Sequence, residues 1–172
     1  MDERVRLMAV SAAAVDDART IAGDIRMHAD QAEWLEVPTG DSGHLTTLVA
    51  PTDPTMRSAD TITVTMTRFI VDWGVDVNDG LDDAFEDMRR LPGWTEHRVE
   101  RFPITATTEG GTVQAGTYMD ELRGWVYAVT KIVLYQRGNV VYLLRCTGST
   151  TSESAGHRES LARSVRFVHL DD

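Results

Sequence analysis

Three β-rich runs separated by two short glycine-containing turns, all within residues 111–147, constrain this chain more than any other feature. They read TVQAGTYM at 112–119, WVYAVTKIVLY at 125–135 and VVYLLRCT at 140–147, joined by DELRG and QRGN. Runs rich in β-branched and aromatic residues, closed by turns this short, predict an antiparallel meander of consecutive neighbours. Within the first run Val113, Ala115, Thr117 and Met119 alternate with Thr112, Gln114, Gly116 and Tyr118, so one face is drier than the other. A sheet with a dry face needs a cover, and the rest of the chain is expected to supply it together with further strands.

The cover is sought along the chain in order. From residue 4 to 25 the apolar residues Val5, Met8, Ala12, Val15, Ala18, Ala22 and Ile25 fall three or four apart, which predicts an amphipathic helix lying on the sheet or facing a partner. Short strands are expected at 34–37 and 44–50, followed by a break at 51–54 and a loop at 55–60. Residues 61–69 alternate between Ile62, Val64, Met66 and Arg68 on one side and threonines with Phe69 on the other, a strand. Leu81, Ala84, Phe85, Met88 and Leu91 form the stripe of a second helix over 79–91, with Asp76 or Asn78 as cap and Pro92-Gly93 as its end. A strand at 97–102, a polar loop at 148–153 and a last helix over 154–165 capped by Ser154 complete the reading. One domain spanning 1–172 is expected. A chain of that length buries roughly 70% of its unfolded surface, enough for a core without a staple.

The formal net charge is −10. Nucleic acid or an anionic membrane would repel such a chain, so neither is expected as a partner. Sixteen of the seventeen basic residues are arginine, Lys131 being the one lysine, which a GC-rich genome explains. Residues 7–14 invite reading as a secretory segment. The mixed charges of residues 1–6 and the shortness of the apolar run argue against that, and no stretch reaches the 18 or so apolar residues of a spanning helix. A cytoplasmic location without membrane insertion is therefore expected.

The search for chemistry finds no reaction. His28, His44, His97, His157 and His169 form no pair at metal-ligand spacing, and no nucleotide-binding or nucleophile-elbow motif is present. The 76–80 cluster fails as a calcium loop, because Val75 stands where the first carboxylate ligand belongs. Cys146 alternates with Val140, Tyr142 and Leu144 and is expected to be a buried thiol, not a nucleophile. No cofactor, metal or catalytic residue is assigned. Asp72, Asp76, Asp79, Asp82, Asp83, Glu86 and Asp87 run without an intervening base. They form either a solvated helix face and its cap or a docking surface for a basic protein partner, and they are the candidate partner-binding residues. Trp34, Trp73, Trp94 and Trp125 are expected in core and sheet-edge packing, with a ligand groove between sheet and helix as the alternative.

The order of elements, with Leu91-Pro92-Gly93-Trp94, the run from Gly111 to Tyr118, Arg137-Gly138-Asn139-Val140-Val141-Tyr142-Leu143 and a final helix ending in Ser164-Val165-Arg166-Phe167, resembles the LpqN/LpqT family of actinobacterial proteins. The resemblance covers about residues 61–168. It implies an α+β fold of the Mog/PsbP-like kind, an antiparallel sheet with helices on its faces. The family's members are typically envelope lipoproteins without established catalysis; the signal peptide and lipidated cysteine they carry are not seen here. The expected function is a non-catalytic protein-interaction or scaffold module, self-association remaining open. The alternative is a carrier or sensor of a small apolar ligand held between sheet and helices.

Overall fold

The computed structural model describes residues 9–15, 26–28, 34–38, 44–50, 59–72, 75–78, 81, 83–102 and 110–171. The meander is present as expected: β7 (Gly110–Asp120), β8 (Gly124–Arg137) and β9 (Val140–Thr150) are consecutive antiparallel neighbours. β9 runs on to Thr150, so residues 148–150 of the expected polar loop are strand. Gly138 takes φ +61° in the two-residue β8–β9 turn, the left-handed first position that this hairpin geometry demands.

Among the described residues the sheet around the meander grows to eight strands. β3 (Leu35–Val37), β4 (Thr46–Val49) and β5 (Thr61–Val71) extend it on one side and β6 (Thr95–Phe102) on the other, in the order β3-β4-β5-β9-β8-β7-β6. A separate two-stranded ribbon pairs β2 (Arg26–His28) with β10 (His169–Asp171).

The expected amino-terminal helix is corrected. Residues 9–15 form a strand, β1 (Ala9–Val15), antiparallel to β5 with Ala12 opposite Phe69 and Val15 opposite Met66. The remainder of the 4–25 reading lies outside the described residues. β4 pairs with β5 only from Thr61 to Val64, and β1 takes the same edge from Met66 onward. Ladder hydrogen bonds to an otherwise open edge outweigh the helix preference of an alanine-rich run, which amounts to fractions of a kcal/mol per residue.

Both faces of the sheet carry apolar packing. On one face Ile62, Val64, Met66, Val113, Val129, Leu144 and Cys146 meet Leu161, Ala162 and Val165 of α2 (Ala155–Phe167). That helix starts at the Ser154 cap, whose hydroxyl accepts from the His157 N–H. His157 also bonds the carboxylate of Asp60, tying the helix start to the residue before β5. At its other end Lys131 donates to the carbonyls of Arg166 (2.8 Å) and Val168 (2.5 Å), a cation placed on the helix C-terminus. On the opposite face Phe69, Val71, Ile132, Leu134, Val141 and Leu143 meet Val77, Leu81 and Ala84. β5 therefore changes its apolar face between Met66 and Phe69, exposing Arg68 at the switch.

The expected helix over 79–91 is reduced to a 3-10 turn (Asp83–Phe85) followed by one short turn, α1 (Glu86–Arg89). Leu81, Ala84 and Phe85 are buried, as their spacing implied, while Met88 and Leu91 are half-buried. Two local features disfavour a longer helix: Gly80 in its first turn, and like charges three and four apart at Asp79, Asp82 and Asp83. Gln114 donates to the carbonyl of Phe85 at 3.2 Å and so ties the start of α1 to β7.

Cys146 lies where expected, 1% exposed in β9. Burial pushes its thiol up to about 12, with the Lys131 charge opposing. The native protein should react with a thiol-directed alkylating reagent at pH 8 roughly a hundredfold more slowly than the denatured chain. Equal rates would place the sulfur within reach of solvent.

Candidate functional site

The acidic segment crosses the face opposite α2. It leaves β5 at Asp72, beside the β8–β9 turn where Val71 N–H donates to the Asn139 carbonyl at 2.8 Å. It ends at Pro92, whose carbonyl accepts from Met119 N–H at 2.8 Å at the other end of the sheet. The described carboxylates of the run, Asp72, Asp76, Glu86 and Asp87, are thus spread along the sheet. Asp72 and Asp76 are exposed, and Asp76 turns back to accept from the Asn78 N–H at 2.9 Å. Asp79, Asp82 and the side chain of Asp83 lie outside the described residues.

Glu86 and Asp87 are both paired with bases, one a helical turn away in sequence and one on a distant strand. Arg89 bonds Glu86 at 3.3 Å, and Arg145 of β9 bonds Asp87 at 2.8 Å. Arg89 also holds Glu96 of β6 through both carboxylate oxygens, at 3.1 and 3.2 Å, with Gln114 adding a third bond at 2.8 Å. The Arg89 hydrogen bond is the main reason that Glu96 titrates below the usual carboxylate range. The acidic segment is fastened to the sheet by these ties, which alternation within the segment does not reveal.

The sheet beneath α1 is polar. Directly opposed residues across the strands set Gln114, Thr130, Thr147, Thr63 and Thr47 in one row, with Thr130 and Thr147 hydroxyls 3.1 Å apart. The Thr130 hydroxyl also reaches the Met88 sulfur at 3.6 Å. Half of this face is hydroxylated and half apolar, which is why the covering segment alternates between buried Leu81, Ala84 and Phe85 and charged Glu86 and Asp87.

The other feature is the end of the β7–β8 hairpin. Asp120 Oδ1 accepts from Leu122 N–H (2.9 Å) and Arg123 N–H (2.8 Å), and Gly124 at φ +80° closes the three-residue loop. Those backbone bonds, Arg123 first, hold the Asp120 carboxyl below its ordinary range. The loop so fixed presents Leu122 at 97% exposure, beside the cross-strand pair of Met119 and Trp125, the latter 55% exposed. Gly93, at φ +66°, packs under this pair: a Cβ there would stand 3.4 Å from the Trp125 ring. Trp125 is accordingly a surface residue, against the packing expected of it. Trp94 is half-buried over Gly116 and Trp34 is half-buried with its N–H on Ser164 at 3.3 Å; Trp73 lies outside the described residues. The exposed trio was legible only as a turn flanked by apolar residues, a pattern that does not say which side of a sheet stays open.

Among the described residues no group of three or more His, Cys, Asp and Glu is arranged to hold a metal ion, and no helix is long and apolar enough to cross a membrane.

The protein is thus of the α+β class, built on one antiparallel sheet with helical segments on its two faces. Its fold is that of LpqN, a Mycobacterium tuberculosis protein involved in cell envelope biogenesis. The two superpose with a TM-score of 0.78 over 100% of this chain and 97% of that one, at 15% sequence identity. The fold implied by the sequence resemblance is therefore present. No family model and no curated protein matches the sequence.

Proposed function

We propose that this chain is a non-catalytic protein-interaction module with an LpqN-like role in the building of the cell envelope. The observation that carries the reading is the hairpin end, where Leu122, on a loop fixed by Asp120, and the Met119–Trp125 pair at the adjoining strand ends expose three large apolar side chains. Exposed aromatic and aliphatic side chains on a preorganised turn suit the centre of a protein interface. The acidic residues Asp72, Asp76, Asp79, Asp82, Asp83, Glu86 and Asp87 contribute long-range attraction to a basic partner, acting chiefly on the rate of association.

The test compares partners recovered from separate envelope and cytosolic fractions by the wild type and by a Leu122→Ser, Trp125→Ser double variant. A partner held by the wild type and reduced about tenfold or more by the variant supports the reading, since truncating two central anchors costs at least 1–2 kcal/mol. Identical recovery by both proteins would overturn the assignment of the site. Slower association of the wild type as salt rises is expected if the acidic segment steers the partner.

A further inference from the structure

The sheet ends at β6, and among the described residues no strand pairs with its outer edge. Such an edge offers unpaired backbone groups to another strand, and its side chains decide which strand is accepted. Seven of the eight β6 residues are exposed, Val99 at 40% among them. A register shift between Glu96 and Arg98 sets His97 apart and leaves 98–102 as the regular stretch. Within it Arg98 and Glu100 stand on one face, opposite Ala115 and Val113 of β7, and they bond each other. Glu100 also accepts from Arg166 at 2.5 Å.

We propose that the β6 edge is a self-association surface, at which a second copy of this chain adds its own β6 antiparallel about a two-fold axis at Val99. Pairing across such an axis keeps each side chain on its face, so the centre must fall on a residue and registers differ by whole residue pairs. Centred on Val99, Arg98 of each copy stands opposite Glu100 of the other. Centred on Arg98 or on Glu100, like charges stand directly opposite, which is unfavourable. Val99 meets its own copy on the other face, a β-branched pair at the centre. Charge therefore selects one register out of three, and the four charged groups alternate in sign around the axis. This surface is separate from the hairpin end and does not rest on the function proposed above.

The test uses the full chain in sedimentation velocity over micromolar to millimolar concentration. The wild type is expected to pass from one to two times the 19.1 kDa chain mass. Arg98→Glu and Glu100→Arg, each alone, place like charges across both symmetric pairs and should weaken association by roughly tenfold or more. Mixed in equal amounts, the two variants regain opposite charges at both pairs and should form a heterodimer. Pairing within one chain explains no such recovery. Because Glu100→Arg also sets an arginine beside Arg166, wild-type hydrogen exchange gives a second measurement: the amides within 97–101 that face away from β7 should slow as concentration rises, those of β7 remaining unchanged. A wild type that stays at one chain mass throughout, a mixture that stays monomeric, or amide rates at 97–101 independent of concentration would each overturn the proposal.

Discussion

Phe69→Ala is expected to cost about 3–5 kcal/mol, the range for removing an enclosed aromatic ring and leaving a cavity. Phe69 is fully buried, at the point where β5 turns its apolar side chains from the α2 face to the face covered by Val77, Leu81 and Ala84. It packs in the apolar cluster with Val77, Leu81 and Ala84, and its backbone neighbour across the ladder is Ala12 of β1. The ring therefore supports the half of the sheet that the acidic segment covers. Against a total stability of some 5–15 kcal/mol, such a loss is about a fifth of the whole or more. For a chain of this length it should lower the melting temperature by about 2–4 °C per kcal/mol, on the order of 10 °C in all. Leu122→Ala is the control, at a position so exposed that a change within about 0.5 kcal/mol is expected. A loss below about 1 kcal/mol at Phe69 would show that the 77–85 segment does not close over it.

Gly116→Ala should cost about 3 kcal/mol, more than Gly148→Ala at about 1–2 kcal/mol, although both glycines lie in the sheet and gain the same methyl. A Cβ on Gly116 would stand 2.4 Å from the Thr95 carbonyl oxygen and 2.6 Å from the Trp94 ring. Backbone held in the β6–β7 ladder yields only if that ladder opens. On Gly148 the contacts are Val165 Cγ2 at 2.7 Å and Leu161 Cδ1 at 2.9 Å, side-chain atoms of α2 that can shift. Urea unfolding midpoints measure the order, and hydrogen exchange in β6 locates the damage. The opposite order would mean that β6 yields more readily than α2.

The meander, the Ser154-capped helix and the buried state of Cys146 are legible from the residues alone. Those signals are local: a period of two, a glycine at a turn that needs positive φ, and a hydroxyl three residues before an N–H are fixed by neighbours in the chain. The other elements depend on long-range packing. The alanine-rich run at 9–15 fits a helix by its spacing and becomes β1 because β5 outlasts β4 and leaves an edge to fill. The stripe at 81–91 fits a helix but forms two short turns, tied to the sheet by a glutamine 29 residues away from Phe85. The acidic run looks unneutralised in sequence, yet Asp87 meets Arg145, 58 residues distant. Which end of a hairpin stays bare is likewise set by whatever covers it: Gly93 packs against the Trp125 ring, while Leu122 at the turn stays uncovered. Local patterns give a segment its preferred shape by fractions of a kcal/mol per residue, while long-range pairing settles edges and covers, where whole hydrogen bonds and buried rings are at stake.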